Sequence, residues 1–312
     1  MKSQNVVREG AISLGIYIGI LLISLIVPLV GLVSFLFLPF PFIYFSYKYE
    51  LRAGIVLGLV SFLILVIVFG PLAVPLTLLF SVTGIVIGEL FRRKEGGFPV
   101  LLGGSLSFIA SIVFIYIGTV VFFNLNPIDE LQQAMYEQTE IMSDMLFIGG
   151  QSEEEALTET VHDIIEEIGV IAPFLMIIIG VGWALIIQLI AYGLLRKKGY
   201  PVTGFPPIRE WGFPKSFIWY YLITYLFIII GVSEGTAMYT AIANLMPMLE
   251  LIMVIQGFAF IFFYAYIKRI NRVLPIFLVI LGVVFPIFLH IVRILGIIDL
   301  GFDLRKRINP QN

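Results

Sequence analysis

The chain has 312 residues, of which 60% are hydrophobic and 13% charged, and its mean hydropathy is +1.04. A soluble domain carries roughly 25% charged residues. The composition therefore excludes a soluble domain and indicates an integral membrane protein in contact with a lipid bilayer. The net charge of −2 gives no sign of a nucleic-acid partner. The lack of cysteine excludes disulfides and Cys-ligated metals.

Apolar runs of roughly 20 residues recur along the chain, and they are continuous rather than alternating, which predicts membrane helices rather than barrel strands. We predict an all-α polytopic helix bundle of about nine spans, or eight if the first two runs or the last one do not cross separately. The predicted spans are 11–26, 34–45, 53–69, 71–90, 98–123, 170–195, 217–232, 243–267 and 274–297.

Lysine and arginine occur in clusters between these runs, and five clusters fall on one side if each run crosses once. They are Lys2 with Arg8, Lys48 with Arg52, Arg92-Arg93-Lys94, Arg196-Lys197-Lys198 with Arg209 and Lys215, and Lys268 with Arg269 and Arg272. The positive-inside rule makes that side cytoplasmic. We therefore predict a multi-pass cell-membrane protein with a cytoplasmic N-terminus and an extracytoplasmic segment at residues 126–167.

A sixth cluster, Arg305-Lys306-Arg307, does not fit this topology, because it lies outside if the run 274–297 crosses the membrane. Two explanations remain open. Either that run is a re-entrant hairpin around Pro286, or the C-terminal tail lies on the outer surface and does not obey the rule.

The predicted outer loop, residues 124–169, contains twelve of the twenty-one carboxylates, and no lysine or arginine occurs between Lys94 and Arg196. Asn126-Pro127 is typical of a helix start, Gly149-Gly150 of a stop, and Ser152 with Glu155 of a capping box. The loop is thus predicted to be an amphipathic helical hairpin, either a lid or cation site or simply a solvated cap. His162-Asp163 beside Glu166 fits no zinc pattern, so no metal site is expected.

Small residues at Ala11, Gly15 and Gly19 lie four apart on one face of the first helix, where they allow another helix to approach closely. That helix belongs either to this chain or to another membrane protein. The pairs Gly54/Gly58 and Gly84/Gly88 have the same spacing and are most simply explained by internal packing.

Three ionisable residues inside the last two predicted spans are candidate ligand-binding or ion-pair residues: Glu250, His290 and Arg293. A charge at the bilayer centre costs about 2.5–3.5 kcal/mol on insertion scales, so each needs a partner or water. Helix rise places all three in one outer layer of consecutive antiparallel helices. We therefore predict a Glu250–Arg293 ion pair with His290 beside it, which requires that the run 274–297 crosses.

The segments "REGAISLGIYIGILL", "LPFPF", "YKYELRAGIVLGLVS", "GELFRRK" and "GIIDLGFDLRKR" resemble the YybS-like family of bacterial multi-pass membrane proteins, a domain of unknown function. The first six helices of that family resemble the substrate-binding S component of energy-coupling-factor transporters. The resemblance implies an S-component-like unit at residues 1–199, which includes the outer loop, and a unit of about three helices at residues 200–312. It also implies that Ala11, Gly15 and Gly19 dock a partner subunit.

The chain contains none of the common hydrolase, metalloprotease or nucleotide-binding motifs, so no enzyme activity, catalytic residue or cofactor is expected. Two functions remain open. The first is a solute-binding or transport subunit without its own ATPase, which binds an unidentified small molecule and is energised by a partner. The second is a non-transporting scaffold or assembly protein of the cell envelope.

Overall fold

The computed structural model describes residues 2–146 and 151–308, and this part of the chain is helical without a strand. The longer helices are α1 (Lys2–Ile26), α2 (Pro28–Phe35), α3 (Phe40–Phe69), α4 (Ala73–Thr77), α5 (Thr83–Arg92), α6 (Gly97–Phe123), α7 (Pro127–Leu146), α8 (Gln151–Lys197), α9 (Ser216–Ile230), α10 (Ala237–Ile267), α11 (Val273–Val284), α12 (Pro286–Phe302) and α13 (Leu304–Ile308). The 3₁₀ turns Gly70–Leu72 and Ile208–Glu210 and the π turn Leu78–Val82 connect some of them.

The all-α polytopic fold is confirmed. Within the described residues, five helical stretches are long and apolar enough to cross a membrane, and α9 and α11 are shorter apolar helices. The five stretches are Gln4–Ile26, Leu29–Arg92, Gly97–Phe123, Thr160–Lys197 and Ala237–Ile267.

The second predicted span, 34–45, is not one helix. α2 ends at Phe35, and a turn separates it from α3, which continues through the third predicted span. Within α3, Glu50 has φ 80° and ψ 165°, so the backbone is kinked between the two predicted runs. The prolines in "LPFPF" favour this arrangement, because Pro39 and Pro41 lie at the start of α3, where a missing N–H has little cost.

The chain forms two compact units, the first comprising Met1–Gly150 with Leu175–Phe205 and the second Gln151–Phe174 with Pro206–Asn312. The predicted division at residue 199 lies close to the second boundary but assigns residues 151–174 to the other side. Asn244 accounts for this difference: its amide nitrogen donates to the Val170 carbonyl at 2.8 Å, and its oxygen accepts from the Phe174 N–H at 2.8 Å. These bonds attach this part of α8 to α10.

The first unit is built on a buried aromatic centre between α1 and α3. The Tyr17 ring meets Phe42 edge-on at 4.8 Å between centroids, and its hydroxyl donates to the Leu76 carbonyl at 3.0 Å. A second apolar cluster joins α5 and α8 through Phe91 and Leu195. The buried residues of both clusters are apolar or aromatic side chains.

Gly84 and Gly88 allow α5 to lie directly against the start of α3. A Cβ at Gly84 would lie 2.6 Å from the Pro39 carbonyl oxygen, and one at Gly88 would overlap the Ile43 carbonyl. The internal packing predicted for this glycine pair is therefore confirmed, and a larger side chain at either position would force α3 and α5 apart.

The second unit is organised around α10 and α12, which cross closely at Gly257 and Gly296. A Cβ at Gly257 would overlap the Val292 carbonyl, and one at Gly296 would overlap the Met253 carbonyl. α9 covers this pair through Tyr221, which belongs to a buried cluster with Leu249, Met253 and Leu300. This close approach positions the polar residues of the site described below.

The predicted ninth span, 274–297, is broken into two helices that double back on each other. α11 ends at Val284, the following Phe285 is extended (φ −123°, ψ 93°), and Pro286 begins α12. α11 returns alongside α10, because Gly282 lies near Phe258. With 12 residues it is about 18 Å long, too short for a ~30 Å core. Of the two explanations for the sixth cation cluster, the hairpin around Pro286 is therefore the one observed.

The hairpin returns the C-terminal cations to the end of the unit where α9 begins. The Arg305 guanidinium donates to the carbonyls of Arg209 at 3.1 Å and Trp211 at 2.7 Å. Lys215 forms an ion pair with Asp303. The cluster 305–307 thus lies at the same end as Arg209 and Lys215, and it no longer contradicts the predicted topology.

The first arm of the predicted outer hairpin is present as α7. The Asn126 side chain accepts from the Ile128 N–H at 3.1 Å and from the Tyr116 hydroxyl at 3.2 Å, as expected of a helix cap. The second arm is continuous with the sixth predicted span in α8. The predicted stop at Gly149-Gly150 lies outside the described residues, and so do the side chains of the predicted capping box at Ser152 and Glu155.

Candidate functional site

Glu250 of α10 and Arg293 of α12 form an ion pair through the carboxylate Oε1 and the guanidinium Nη1. The other terminal nitrogen of Arg293 lies 3.0 Å from His290 Nδ1, one turn earlier on the same helix. The structure therefore brings together all three residues singled out in the sequence. The pair is partly accessible, with side-chain exposures of 20% for Arg293 and 37% for Glu250, and His290 is exposed.

This contact is a hydrogen bond in one neutral tautomer of His290. A guanidinium group has only donors, so it donates to Nδ1 when the ring N–H is on Nε2. Nε2–H and the remaining Arg293 donors can then bind an oxygen of a carboxylate, phosphate or polar solute. Glu250 neutralises Arg293 when no such group is bound.

The cluster lies near the middle of the longest helix of the second unit. Glu250 is the fourteenth of the 31 residues of α10, about 20 Å from its start and about 26 Å from its end. A charged pair at that position of an apolar helix normally faces protein or water rather than lipid tails. We therefore regard these three residues as the candidate functional site.

The predicted basis for the ion pair was wrong, although the pair exists. α10 and α12 are not antiparallel, and the run 274–297 does not cross as one helix. Glu250 contacts Arg293, and Gln256, six residues later on α10, contacts Asp299, six residues later on α12. The two helices therefore run parallel, because α11 reverses the chain between them.

A second polar layer lies one and a half turns further along the same two helices. The buried Asp299 carboxylate accepts from Gln256 Nε2 at 2.6 Å and from Arg305 Nε at 2.9 Å. Gln256 also accepts the Phe213 N–H at 3.0 Å through its own oxygen. Only 2% of the Asp299 side chain is exposed, so Gln256 and Arg305 replace the water that the carboxylate loses on burial.

Arg305 extends this layer to the loop before α9. It donates to the Arg209 and Trp211 carbonyls, and its guanidinium lies 5.6 Å from the Phe263 ring centroid. Trp211 in turn donates from its indole nitrogen to the Pro206 carbonyl at 2.9 Å. The C-terminal segment therefore fixes the loop at residues 206–213.

The sequence pattern does not predict this second layer. The predicted ninth span ends at residue 297, so Asp299 lies outside the predicted spans. Its main partner on α10, Gln256, is neutral and gave no electrostatic signal. One signal for this layer is present in the segment "GIIDLGFDLRKR". There an aspartate in the last turn of an apolar helix is followed by an arginine six residues later.

Within the described residues of the first unit, no helix lies against the small-residue face of α1. A Cβ at Gly15 or Gly19 would meet nothing within 4 Å, and Ala11 is exposed. The opposite face of α1, with Tyr17 and Leu21, contacts α3. Packing of this face against another helix of the chain and docking of a different membrane protein both stay predictions.

Glu89, another ionisable residue in a predicted span, is held in a local ion pair. Its nearly buried carboxylate accepts from Arg92 at 2.7 and 2.8 Å and from Arg93 at 2.8 Å. Both arginines follow within one turn of α5, so this cluster anchors the end of the helix. Within the part of the chain that is described, no three His, Asp or Glu side chains form a group that could hold a metal ion.

Comparison with known proteins agrees with the helical membrane architecture. The family described as "Predicted membrane protein (DUF2232)" matches residues 15–300. The "Uncharacterized protein YybS" of Bacillus subtilis (strain 168) is 31% identical over 312 residues, which cover 99% of this chain and 100% of that protein. No solved structure matches the chain significantly. The chain therefore belongs to the DUF2232 family of predicted membrane proteins, as the resemblance to YybS-like proteins indicated.

Proposed function

We propose that the protein is a solute-binding subunit of a membrane transport system and has no ATPase of its own. The observation that carries this proposal is the accessible Glu250–His290–Arg293 cluster near the middle of α10. Charged residues inside membrane helices commonly mark substrate or ion pathways. A cluster that served only to neutralise two charges would not need an exposed histidine beside it.

The cluster favours a polar or anionic solute. Arg293 and His290 offer N–H donors on one face of α12, and Glu250 can release Arg293 to an incoming oxyanion. Displacement of Glu250 would leave its partly exposed carboxylate to be solvated by water.

Solute retention by the purified protein tests this proposal. Gently solubilised wild-type protein should carry a small molecule detectable by native mass spectrometry. The variant Glu250→Gln/Arg293→Gln removes both charges without changing side-chain size much, and it should lose that molecule. The matched control is Glu9→Gln/Lys48→Gln, which neutralises the ion pair of the first unit, where Lys48 Nζ lies 2.6 Å from Glu9 Oε2. Equal retention by all three proteins would contradict solute binding at the cluster.

The face of α1 with Gly15 and Gly19, which meets no other helix within the described part of the first unit, supports the second candidate function, a scaffold that holds other membrane proteins. It is also the face on which an energising partner would dock in the first function. Gly15→Leu tests both, and Gly118→Leu on α6 is the matched control, because a Cβ at Gly118 also meets nothing within 4 Å. Loss of a co-purifying membrane protein only in Gly15→Leu would support docking at α1. A partner retained without any bound solute would favour the scaffold.

A further inference from the structure

A groove of about 400 Å³ lies in the second unit between the end of α10 and the start of α11. Arg209, Arg269 and Arg272 contribute positive charges to its lining, and the turn Ile208–Glu210 borders it. The rest of its lining is apolar or aromatic: Pro207, Ile208, Phe262, Ala265, Tyr266, Ile270, Pro275 and Ile276. The groove is thus amphipathic, and none of these described lining residues is acidic.

The three arginines are not neutralised equally. Arg209 lies 3.6 Å from the Glu210 carboxylate and stacks on the Tyr266 ring at 4.1 Å from its centroid. Arg269 and Arg272 are exposed, and no ion pair is found for either one within the part of the chain that is described. The start of α11 adds the positive end of its helix dipole beside Arg272. The groove therefore has an excess of positive charge.

The wall of the groove is held in place before any ligand binds. Arg305 binds the carbonyls of Arg209 and Trp211, and the Trp211 indole closes the loop onto Pro206. On the opposite side, the Asn271 side chain accepts from the Val273 N–H at 3.0 Å, at the first residue of α11. The positions of the turn Ile208–Glu210 and the start of α11 are thus fixed by hydrogen bonds.

We propose that this groove binds the phosphate headgroup of an anionic membrane lipid. The arginines would bind the phosphate, and the acyl chains would lie along Phe262 and Ile276. Lipid rather than a free anion is favoured because the apolar part of α10 ends at Ile267 and α11 begins at Val273. The groove therefore lies where apolar helix surface meets polar loop, and the exposed Tyr266 is typical of that boundary. Basic pockets between helix ends bind phospholipid headgroups in this way.

Lipid titration in detergent followed by native mass spectrometry tests the proposal. Wild-type protein should retain phosphatidylglycerol more strongly than phosphatidylcholine. Arg269→Gln/Arg272→Gln should weaken phosphatidylglycerol binding about thirtyfold, because each basic residue near an anionic lipid contributes roughly a fivefold change. The matched control is Lys94→Gln/Lys197→Gln, which removes the same number of positive charges at the ends of α5 and α8. It should bind phosphatidylglycerol as strongly as the wild type does.

Two outcomes would overturn the proposal. Phosphatidylglycerol retention unchanged in Arg269→Gln/Arg272→Gln would mean that the groove is not the lipid site. Displacement of the lipid by millimolar inorganic phosphate would mean that the groove binds a free anion and needs no membrane lipid. The single variant Arg272→Gln should bind phosphatidylglycerol about fivefold more weakly than the wild type. It therefore tests the groove if the double variant does not fold.

Discussion

Asn244 replaces a hydrogen bond of α8 beside Pro173. In a regular helix the Phe174 N–H would donate to the Val170 carbonyl four residues earlier, but here the Asn244 side chain bonds to both groups. Proline cannot donate and its ring crowds the preceding turn, so the helix opens at this point. Asn244 fills the opening from α10 and satisfies backbone groups that lipid could not.

We expect Asn244→Leu to destabilise the protein by about 1–3 kcal/mol, because a similar volume remains while an N–H and a carbonyl lose their partners. Thermal unfolding in detergent measures the loss. Pro173→Ala in the same variant should recover part of it, because the helix can then close its own hydrogen bond. Equal stability of Asn244→Leu and the wild type would mean that water or the backbone already satisfies both groups.

The sequence pattern was sufficient where spacing determines which residues share a helix face. Gly84 and Gly88 recur on one helix face, and that face does meet α3. Arg293 and His290 are three residues apart on a helix, so they had to share a face. These inferences needed no knowledge of how the chain connects, and for that reason they agree with the structure.

The sequence pattern was insufficient where the path of the chain determines which helices are neighbours. The run 274–297 has the same apolar composition whether it crosses or reverses, and only the packing of Gly282 against α10 and α12 distinguishes the two. The Asp299 layer depends on contacts with residues more than forty positions earlier, including a neutral glutamine. The small-residue face of α1 is a further example, because spacing does not tell which helix, if any, lies against that face.

The hairpin of α11 and α12 makes a prediction about topology. Single cysteines at Ser216 and Arg307 should lie on the same side of the membrane, because both segments meet at one end of the second unit. A cysteine at Asp129 in α7 should lie on the other side, as the cation distribution predicts. The native chain has no cysteine, so labelling with a membrane-impermeant maleimide in intact and permeabilised cells reports each position alone.

Labelling of Asp129→Cys in intact cells, with Ser216→Cys and Arg307→Cys labelled only after permeabilisation, is the expected result. Opposite behaviour of Ser216→Cys and Arg307→Cys would contradict the hairpin. Labelling of all three in intact cells would leave the hairpin intact but contradict the predicted cytoplasmic side of Ser216 and Arg307.

Charge reversal tests the Glu250–Arg293 pair. Glu250→Arg and Arg293→Glu should each lower stability by about 1–3 kcal/mol, less than for a fully buried pair because both side chains are partly exposed. The double swap should recover part of the loss. Unfolding in detergent provides the measurement, and losses that simply add would mean that the two groups do not interact.

We expect substitutions in the Asp299 layer to lower stability more than substitutions of the Glu250–Arg293 pair. Asp299→Leu leaves Arg305 and Gln256 without their shared acceptor, and we expect a loss of about 3–5 kcal/mol. Arg305→Met leaves the carboxylate buried with only Gln256. Asp299→Leu/Arg305→Met should cost less than the sum of the two single changes, because neither charge is then left buried alone. Additive losses in thermal unfolding would contradict a direct interaction.

The Lys215–Asp303 pair gives a dependence of stability on pH. The pKa of Asp303 is lowered below its usual value because the carboxylate accepts a hydrogen bond from Lys215. A lowered folded-state pKa means that the contribution is present above the ordinary aspartate pKa, near pH 4, and is lost as pH falls through the lower folded value. The melting temperature of the wild type should therefore exceed that of Asp303→Asn by a constant amount from pH 7 to about pH 5. The difference should shrink below about pH 4, and it should be smaller in high salt because the pair is solvent-exposed.

Asp129→Asn on α7, where no ion pair is found among the described residues, is the control. A difference between wild type and Asp303→Asn that does not change with pH would mean that the carboxylate acts by packing and not by charge.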